Sequence, residues 1–173
     1  MRSRKTFFAA IATVFSSLIS GCETGEISRF EHPPSESFYE EMNYYSPELD
    51  EYKDQGVLFV ISIKQLTYNE FSIWLGLYAA DLPNLAMQIN RIRITGDEWE
   101  ESHQINREIE FSEAGDTALL TDAVRIGVSG DSFTLLKNSP SIIIEVVYST
   151  GTEDREMRFL IERRVEKHIA FPT

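Results

Sequence analysis

Between Val57 and Ile161 the apolar residues recur at every second position, which commits the chain to β-strands with one buried face. Phe59, Ile61 and Ile63 share a face, with Ser62 and Lys64 on the other. Phe71, Ile73, Leu75, Leu77 and Ala79 repeat the pattern opposite Ser72, Trp74, Gly76 and Tyr78. Met87 and Ile89 give way to Ile92 and Ile94, a change of parity at Asn90–Arg91 that predicts a β-bulge. Ile105, Ile109 and Phe111 continue the alternation, as do Val124, Ile126 and Val128, then Phe133 and Leu135. Ile142, Ile144, Val146 and Tyr148 are expected to face Met157, Phe159 and Ile161 across a turn within Ser149–Asp154.

Turn residues separate these runs: Asp81-Leu82-Pro83-Asn84, Gly96-Asp97, Gly115-Asp116, Gly130-Asp131, Asn138-Ser139-Pro140 and Gly151-Thr152. Glycine and Asx residues suit such positions because they tolerate positive φ or cap their own backbone. Seven or eight strands at this spacing predict an all-β domain, an antiparallel β-sandwich of immunoglobulin-like architecture. The likeness is one of architecture, because no Cys–Trp–Cys signature is present; a closed barrel is the alternative.

Composition excludes several classes of function. With 42% apolar and 12% aromatic residues among 173, the chain has the material for a packed core. Its 28 acidic side chains against 16 basic ones give a formal charge of −12, the wrong sign for a nucleic-acid partner. A single cysteine rules out an internal disulfide or a cysteine-based zinc cluster, and three scattered histidines offer little for a metal centre. No cofactor is expected.

The N-terminus carries a targeting pattern. Arg2, Arg4 and Lys5 precede an uncharged apolar stretch from Thr6 to Ile19, 14 residues long. A membrane span needs roughly 20 residues, whereas a signal-peptide core has this shorter length. The stretch ends in Leu18-Ile19-Ser20-Gly21-Cys22, which resembles the lipobox of bacterial lipoproteins. The resemblance covers residues 1–22 alone. It implies cleavage after Ile19, Ser20 and Gly21, with Cys22 acylated on sulfur as the new N-terminus and the membrane reached through that lipid. Buried acyl methylenes contribute about 0.8 kcal/mol each, so several chains anchor stably. Glu23, in place of the aspartate that favours inner-membrane retention in enteric bacteria, leaves delivery to the outer membrane, facing the periplasm, as the expectation.

Loss of residues 1–21 removes three basic and no acidic side chains, taking the charge from −12 to −15. Residues 22–55 are expected to form an acidic tether, with ten acids against Arg29 and Lys53 and with Pro33, Pro34 and Pro47 breaking any long helix. Residues 56–173 are then the β-domain. Phe30, Phe38, Tyr39, Tyr44, Tyr45 and Tyr52 are many aromatics for a solvated spacer. The favoured expectation is that Phe38, Tyr39 and a short helix around Ser37–Tyr44 pack onto the domain edge; docking on a partner is the alternative.

Catalytic chemistry finds few candidates. No G-x-S-x-G turn occurs, and His32, His103 and His168 are dispersed. The run Asp97, Glu98, Glu100 and Glu101, interrupted by Trp99, reads as solvated acids. If strand direction simply alternates, Asp97, Asp131 and Glu153–Asp154 share one end of the domain and could hold calcium, although no loop has D-x-D-x-D-G spacing, so no metal site is assigned. Arg163 and Arg164 read as solvated, in a last strand whose arginines pair with cross-strand acids such as Glu145; contact with an acidic partner or lipid headgroups is the alternative.

Trp74, Gly76 and Tyr78 are the candidate partner-binding residues, because Gly76 between two large rings leaves a depression on the face opposite the regular apolar set. Tether aromatics filling that depression, or a docked protein, would cover it. The expected function is therefore a non-catalytic, lipid-anchored envelope protein that binds another envelope or secreted protein. An inhibitor or immunity protein steered by its negative charge is a specific version. A lipoprotein that binds or processes cell-wall glycan, with Trp74, Tyr78 and Trp99 stacking on sugars, is the alternative.

Overall fold

The computed structural model describes residues 24–67, 69–83, 86–113 and 119–169. Ile19, Ser20, Gly21 and Cys22, the Gly115-Asp116 turn and Asn84 lie outside them, as does the His168 side chain. In chain order the elements are β1 (Thr24–Glu31), α1 (Pro33–Glu41), a 3-10 helix (Pro47–Tyr52), β2 (Lys53–Asp54), β3 (Val57–Thr67), β4 (Glu70–Ala79), β5 (Met87–Thr95), β6 (Glu100–Glu108), β7 (Ser112–Glu113), β8 (Leu120–Ser129), α2 (Gly130–Asn138), β9 (Ser141–Thr150) and β10 (Glu153–Ile169). The fold is mostly antiparallel β. The described strands form one ten-stranded sheet in the order β6-β5-β9-β10-β1-β3-β4-β8-β7, with β2 paired to β3 off that path. Two compact units divide the chain: Arg29–Arg164, and a second unit comprising residues 1–28 and 165–173, of which 24–28 and 165–169 are strand.

The period-two pattern is realised in the pairing. Val146, Ile144 and Ile142 lie opposite Met157, Phe159 and Ile161, and all six are buried. Their hairpin closes through Gly151-Thr152, between the Thr150↔Glu153 pair, with Gly151 at φ +64°. A side chain with a Cβ is strained there, which is why glycine serves. The parity change in β5 is a bulge: against β9 the register passes from Ile89↔Tyr148 to Arg91↔Val147, so Asn90 is the extra residue, while against β6 Asn90 faces the two residues Ile105 and Asn106. That single insertion keeps Ile89, Ile92 and Ile94 on the buried side of the strand.

Within Arg29–Arg164 the sheet curls around one main core. Phe59, Ile73, Leu75 and Val124 from β3, β4 and β8 share it with Ile92, Ile144 and Phe159 from β5, β9 and β10. The two ends of the strand path meet where Arg107, at the end of β6, donates to Asp122 Oδ1 at 2.7 Å and to the Ala123 carbonyl of β8. The Glu110 amide donates to the other Asp122 oxygen at 2.9 Å, just before β7 pairs with β8.

Two strand expectations are corrected. Ile109 and Phe111 lie between β6 and β7, outside either strand, though both pack against the main core. Phe133 and Leu135 are not strand residues: Gly130–Asn138 is the helix α2, which buries Phe133 and Leu136 and leaves Leu135 45% exposed. An i, i+3 pair is a helical spacing, and Asp131 in the first turn with Lys137 in the last complements the helix dipole. Phe133 stacks on Phe71 at 4.9 Å. The prolines of the acidic segment also start helices as well as limiting them. Pro33 and Pro34 occupy the first turn of α1, where the missing N–H costs nothing, and Pro47 opens the 3-10 helix.

From Arg29 onward the acidic segment belongs to the same unit as the strands up to Arg164, so that unit begins well before residue 56. Phe38 and Leu49 are fully buried in a second cluster with Tyr44, Leu58, Val60 and Leu119. This cluster lies on the face of β3 opposite the main core, so Val57, Leu58, Phe59, Val60 and Ile61 are all buried in succession. A strand covered on both faces loses its alternation.

Candidate functional site

Trp74, Gly76 and Tyr78 stand on the outer face of β4, two residues apart, and the structure treats them differently. Tyr78 packs against Phe38 of α1 at 4.6 Å between ring centroids and lies 6.4 Å from the Tyr39 ring. A Cβ built on Gly76 would lie 2.8 Å from Tyr78 Cε2 and 3.2 Å from Tyr39 Oη. The depression at Gly76 is therefore filled from within, by its own neighbour and by a tyrosine of the acidic segment. Tyr39 is 39% exposed over the whole side chain, yet its hydroxyl end is enclosed and bonded to Tyr78. Burial first, and then Tyr78, pushes the Tyr39 phenol well above its usual range.

Trp74 lies beyond this cover. It is 39% exposed, and the Arg125 guanidinium sits 5.2 Å from its ring centroid, a cation–π arrangement. Arg125 is the register partner of Trp74 on β8, and its Nε donates to Ser72 Oγ at 2.8 Å. Ser62 of β3 is the partner on the other side. Of the three residues Trp74 is the most exposed, and with Arg125 and the outer flank of Tyr39 it forms the accessible part of the face.

Trp99, the third aromatic singled out, is tied down. Its Nε1 donates to Ser139 Oγ at 2.9 Å, and the ring packs against the main core. That bond joins the β5–β6 turn to the end of α2, where Ser139 N also donates to the Leu135 carbonyl at 3.1 Å.

The acids expected at one end are split, because the Glu153–Asp154 pair does not join Asp97. Met87 of β5 pairs with Thr150 while Thr95 pairs with Ile143, so Asp97 and the Glu153–Asp154 pair lie at opposite ends of β5. The cause is α2: a helix in place of a strand at Phe133 removes one traverse and reverses the direction count. Glu153 instead accepts from Arg155 at 2.9 Å, and Asp154 from Asn90 at 3.3 Å. Among the described residues no group of three or more His, Cys, Asp or Glu is placed to hold a metal ion.

His32 is buried at the N-terminus of α1 and His103 lies on β6, 2.9 Å from Glu101 Oε1 though off the line of a hydrogen bond. His32 Nδ1 lies 2.7 Å from Ser35 Oγ, but that hydroxyl also accepts from the Ile61 amide at 3.0 Å and is enclosed, so it has the role of a structural tie. A cavity of about 140 Å³ lined by Ala86, Met87, Gln88, Glu108, Ser149 and Gly151 is well below the size of ordinary ligand pockets, roughly 300–1,000 Å³.

The arginines of the last strand are paired. Arg158 Nε is 3.2 Å from Glu145 Oε1 in the expected cross-strand register, and Arg93 grips the other oxygen of the same carboxylate. Arg164 Nε lies 2.7 Å from Glu31, and Arg163 donates to the Lys137 carbonyl. Sequence reading missed three ties that depend on pairing across the sheet: Arg125 over Trp74, Arg107 on Asp122, and Asp54 accepting from both Tyr148 at 3.0 Å and Arg155 at 2.7 Å. For Arg125 the parity of β8 was a usable signal once the β4 register was known.

No family model matches the chain, and neither the curated proteins nor the solved structures contain a match to it.

Proposed function

We propose that this protein is a non-catalytic, lipid-anchored envelope protein whose β-domain docks another envelope or secreted protein through the Trp74–Arg125 pair. The observation that carries the reading is the exposure of Trp74 on a sheet face whose neighbouring part is sealed by Phe38 and Tyr39. A large aromatic backed by an arginine is the composition of an interface anchor. The lipobox-like Leu18–Cys22 supports anchoring through an acylated Cys22 and, with Glu23, a periplasm-facing outer-membrane location.

The curled sheet is taken as two facing layers, an immunoglobulin-like sandwich, because β4 and β8 share one core with β5 and β9. Methyl NOEs between Leu75 and Ile144 would support facing layers, whereas their absence would favour a barrel. The glycan alternative has less support, since Trp99 is bonded to Ser139 and Tyr78 is covered by Phe38.

Cross-linking in the native envelope, followed by identification of what co-purifies, tests the docking role. A stoichiometric protein lost in Trp74→Ala and Arg125→Ala is expected. Recovery unchanged by both substitutions would remove this face from the proposal. Absence of palmitate label on the wild-type chain, or its persistence in Cys22→Ser, would refute the anchor.

A further inference from the structure

His32 is 5% exposed at the N-terminus of α1, the helix that brings Phe38 onto Leu58 and Val60. Its Nδ1 accepts from the Ser35 amide at 3.3 Å and lies 2.7 Å from Ser35 Oγ. That hydroxyl accepts from the Ile61 amide of β3 at 3.0 Å, so one imidazole nitrogen ties the helix start to the sheet. An accepting Nδ1 places the ring proton on Nε2, which is buried with no hydrogen-bond partner among the described residues. Tyr52 and Phe159 enclose the ring edge-on, with centroids at 4.7 and 5.4 Å.

Only the neutral ring suits this site. Protonation at Nδ1 removes the acceptor that Ser35 uses and leaves a buried cation between two aromatic rings. We propose that His32 is an acid-sensitive latch, whose protonation frees α1 from β3 and β4 while the main core stays folded, baring Leu58, Val60 and Tyr78.

The surrounding charges do not replace the lost ties. Glu51, from the 3-10 helix, favours the protonated ring, but burial outweighs it and holds the imidazole down at about 4. Tyr52, on the same element, is a phenol held neutral by burial. Glu31 on β1 is engaged by Arg164 of β10 at 2.7 Å. Glu36, on α1 itself, is a carboxyl raised by burial. The contacts from β3 and β10 are uncharged: the Ile61 amide through Ser35, and the Phe159 ring.

Native-state hydrogen exchange of the full chain, corrected for intrinsic rates, tests the latch. Between pH 7 and pH 5 the protection of amides in Glu36–Met42 should fall about 20-fold, since an open state with an ordinary histidine gains protons that the closed state refuses. At pH 5 these amides should exchange faster than those of Ile142–Tyr148, and low denaturant should leave their rate unchanged, as a local opening requires. His32→Asn keeps an N-cap acceptor and cannot titrate, so it should abolish the pH effect. Exchange of α1 and β9 as a single denaturant-sensitive unit would overturn the proposal. So would a pH effect that persists in His32→Asn. Should that variant fail to fold, the wild-type pH profile decides: a loss of protection complete above pH 6.5, or beginning only below pH 4, would overturn the proposal.

Discussion

Arg107 and Asp122 join the two ends of the strand path, with the Arg107 guanidinium 2.7 Å from Asp122 Oδ1 across the gap between β6 and β8. The aspartate carries more than an ion pair. Its second oxygen accepts from the Glu110 amide at 2.9 Å, which fixes the chain just before β7 pairs with β8.

Asp122→Ala is expected to destabilise the domain by about 1–3 kcal/mol, because it strands a backbone amide as well as a guanidinium. Arg107→Met should cost less, since Arg107 is half exposed and exposed ion pairs contribute little. Urea midpoints of both variants check the order; equal and negligible shifts would mean the two ends are held by something else.

Phe38→Ala tests whether the acidic segment is part of the fold. A fully buried phenylalanine in a packed cluster costs about 3–5 kcal/mol on truncation. In a solvated tether the same change costs nothing measurable. Thermal unfolding separates the two outcomes cleanly.

Gly76→Ala should destabilise by roughly 1–3 kcal/mol through overpacking, since the new methyl would press on Tyr78 Cε2 and Tyr39 Oη. Combining it with Tyr39→Ala should recover only part of that loss, because the Tyr78 contact is the closer one. Full recovery in the double variant would place the strain on Tyr39 alone.

Acid should weaken the fold through His32. Its folded value, about 4, lies below the ordinary 6.5, so below pH 6.5 the unfolded chain binds a proton that the folded chain refuses. Stability is complete above pH 6.5 and declines as pH falls towards 4, by about 3 kcal/mol. Glu36 acts in the opposite sense, since burial raises its carboxyl and its protonation favours the folded state. Urea midpoints across pH 7 to 4, compared with those of His32→Asn, separate the share of His32 from that of Glu36.

The strand faces were legible because each alternation needs only its own segment. The Met157–Val146 register and the Asn90 bulge follow from parity and a single turn. Phe133 and Leu135 misled for the opposite reason. Two apolar residues separated by one are too few to distinguish a strand from a helix, and Leu136 supplies the helical spacing. That local ambiguity carried through to the acidic loops, because a single missing traverse moved Glu153–Asp154 to the far end from Asp97.

At the candidate site, sequence parity places Trp74, Gly76 and Tyr78 on one face, but it cannot say which of them is covered. The answer depends on Phe38 and Tyr39, more than 30 residues earlier in the chain, and on Arg125, about 50 residues later on the neighbouring strand β8. The run Val57–Ile61 hinted at double-sided burial in having apolar residues at both parities.

By itself the sequence determined a β-rich chain, the parity of its strands, the bulge in β5 and the closing turn of β9 and β10, all set by steric and solvation preferences over a few neighbours. Tertiary structure alone decided that the acidic segment from Arg29 joins the folded unit, that α1 seals Gly76 and Tyr78 while leaving Trp74 open, and that Arg107 meets Asp122. Those outcomes depend on contacts between residues far apart in the chain. Their loop-closure entropy is recovered only when many distant apolar surfaces are buried together.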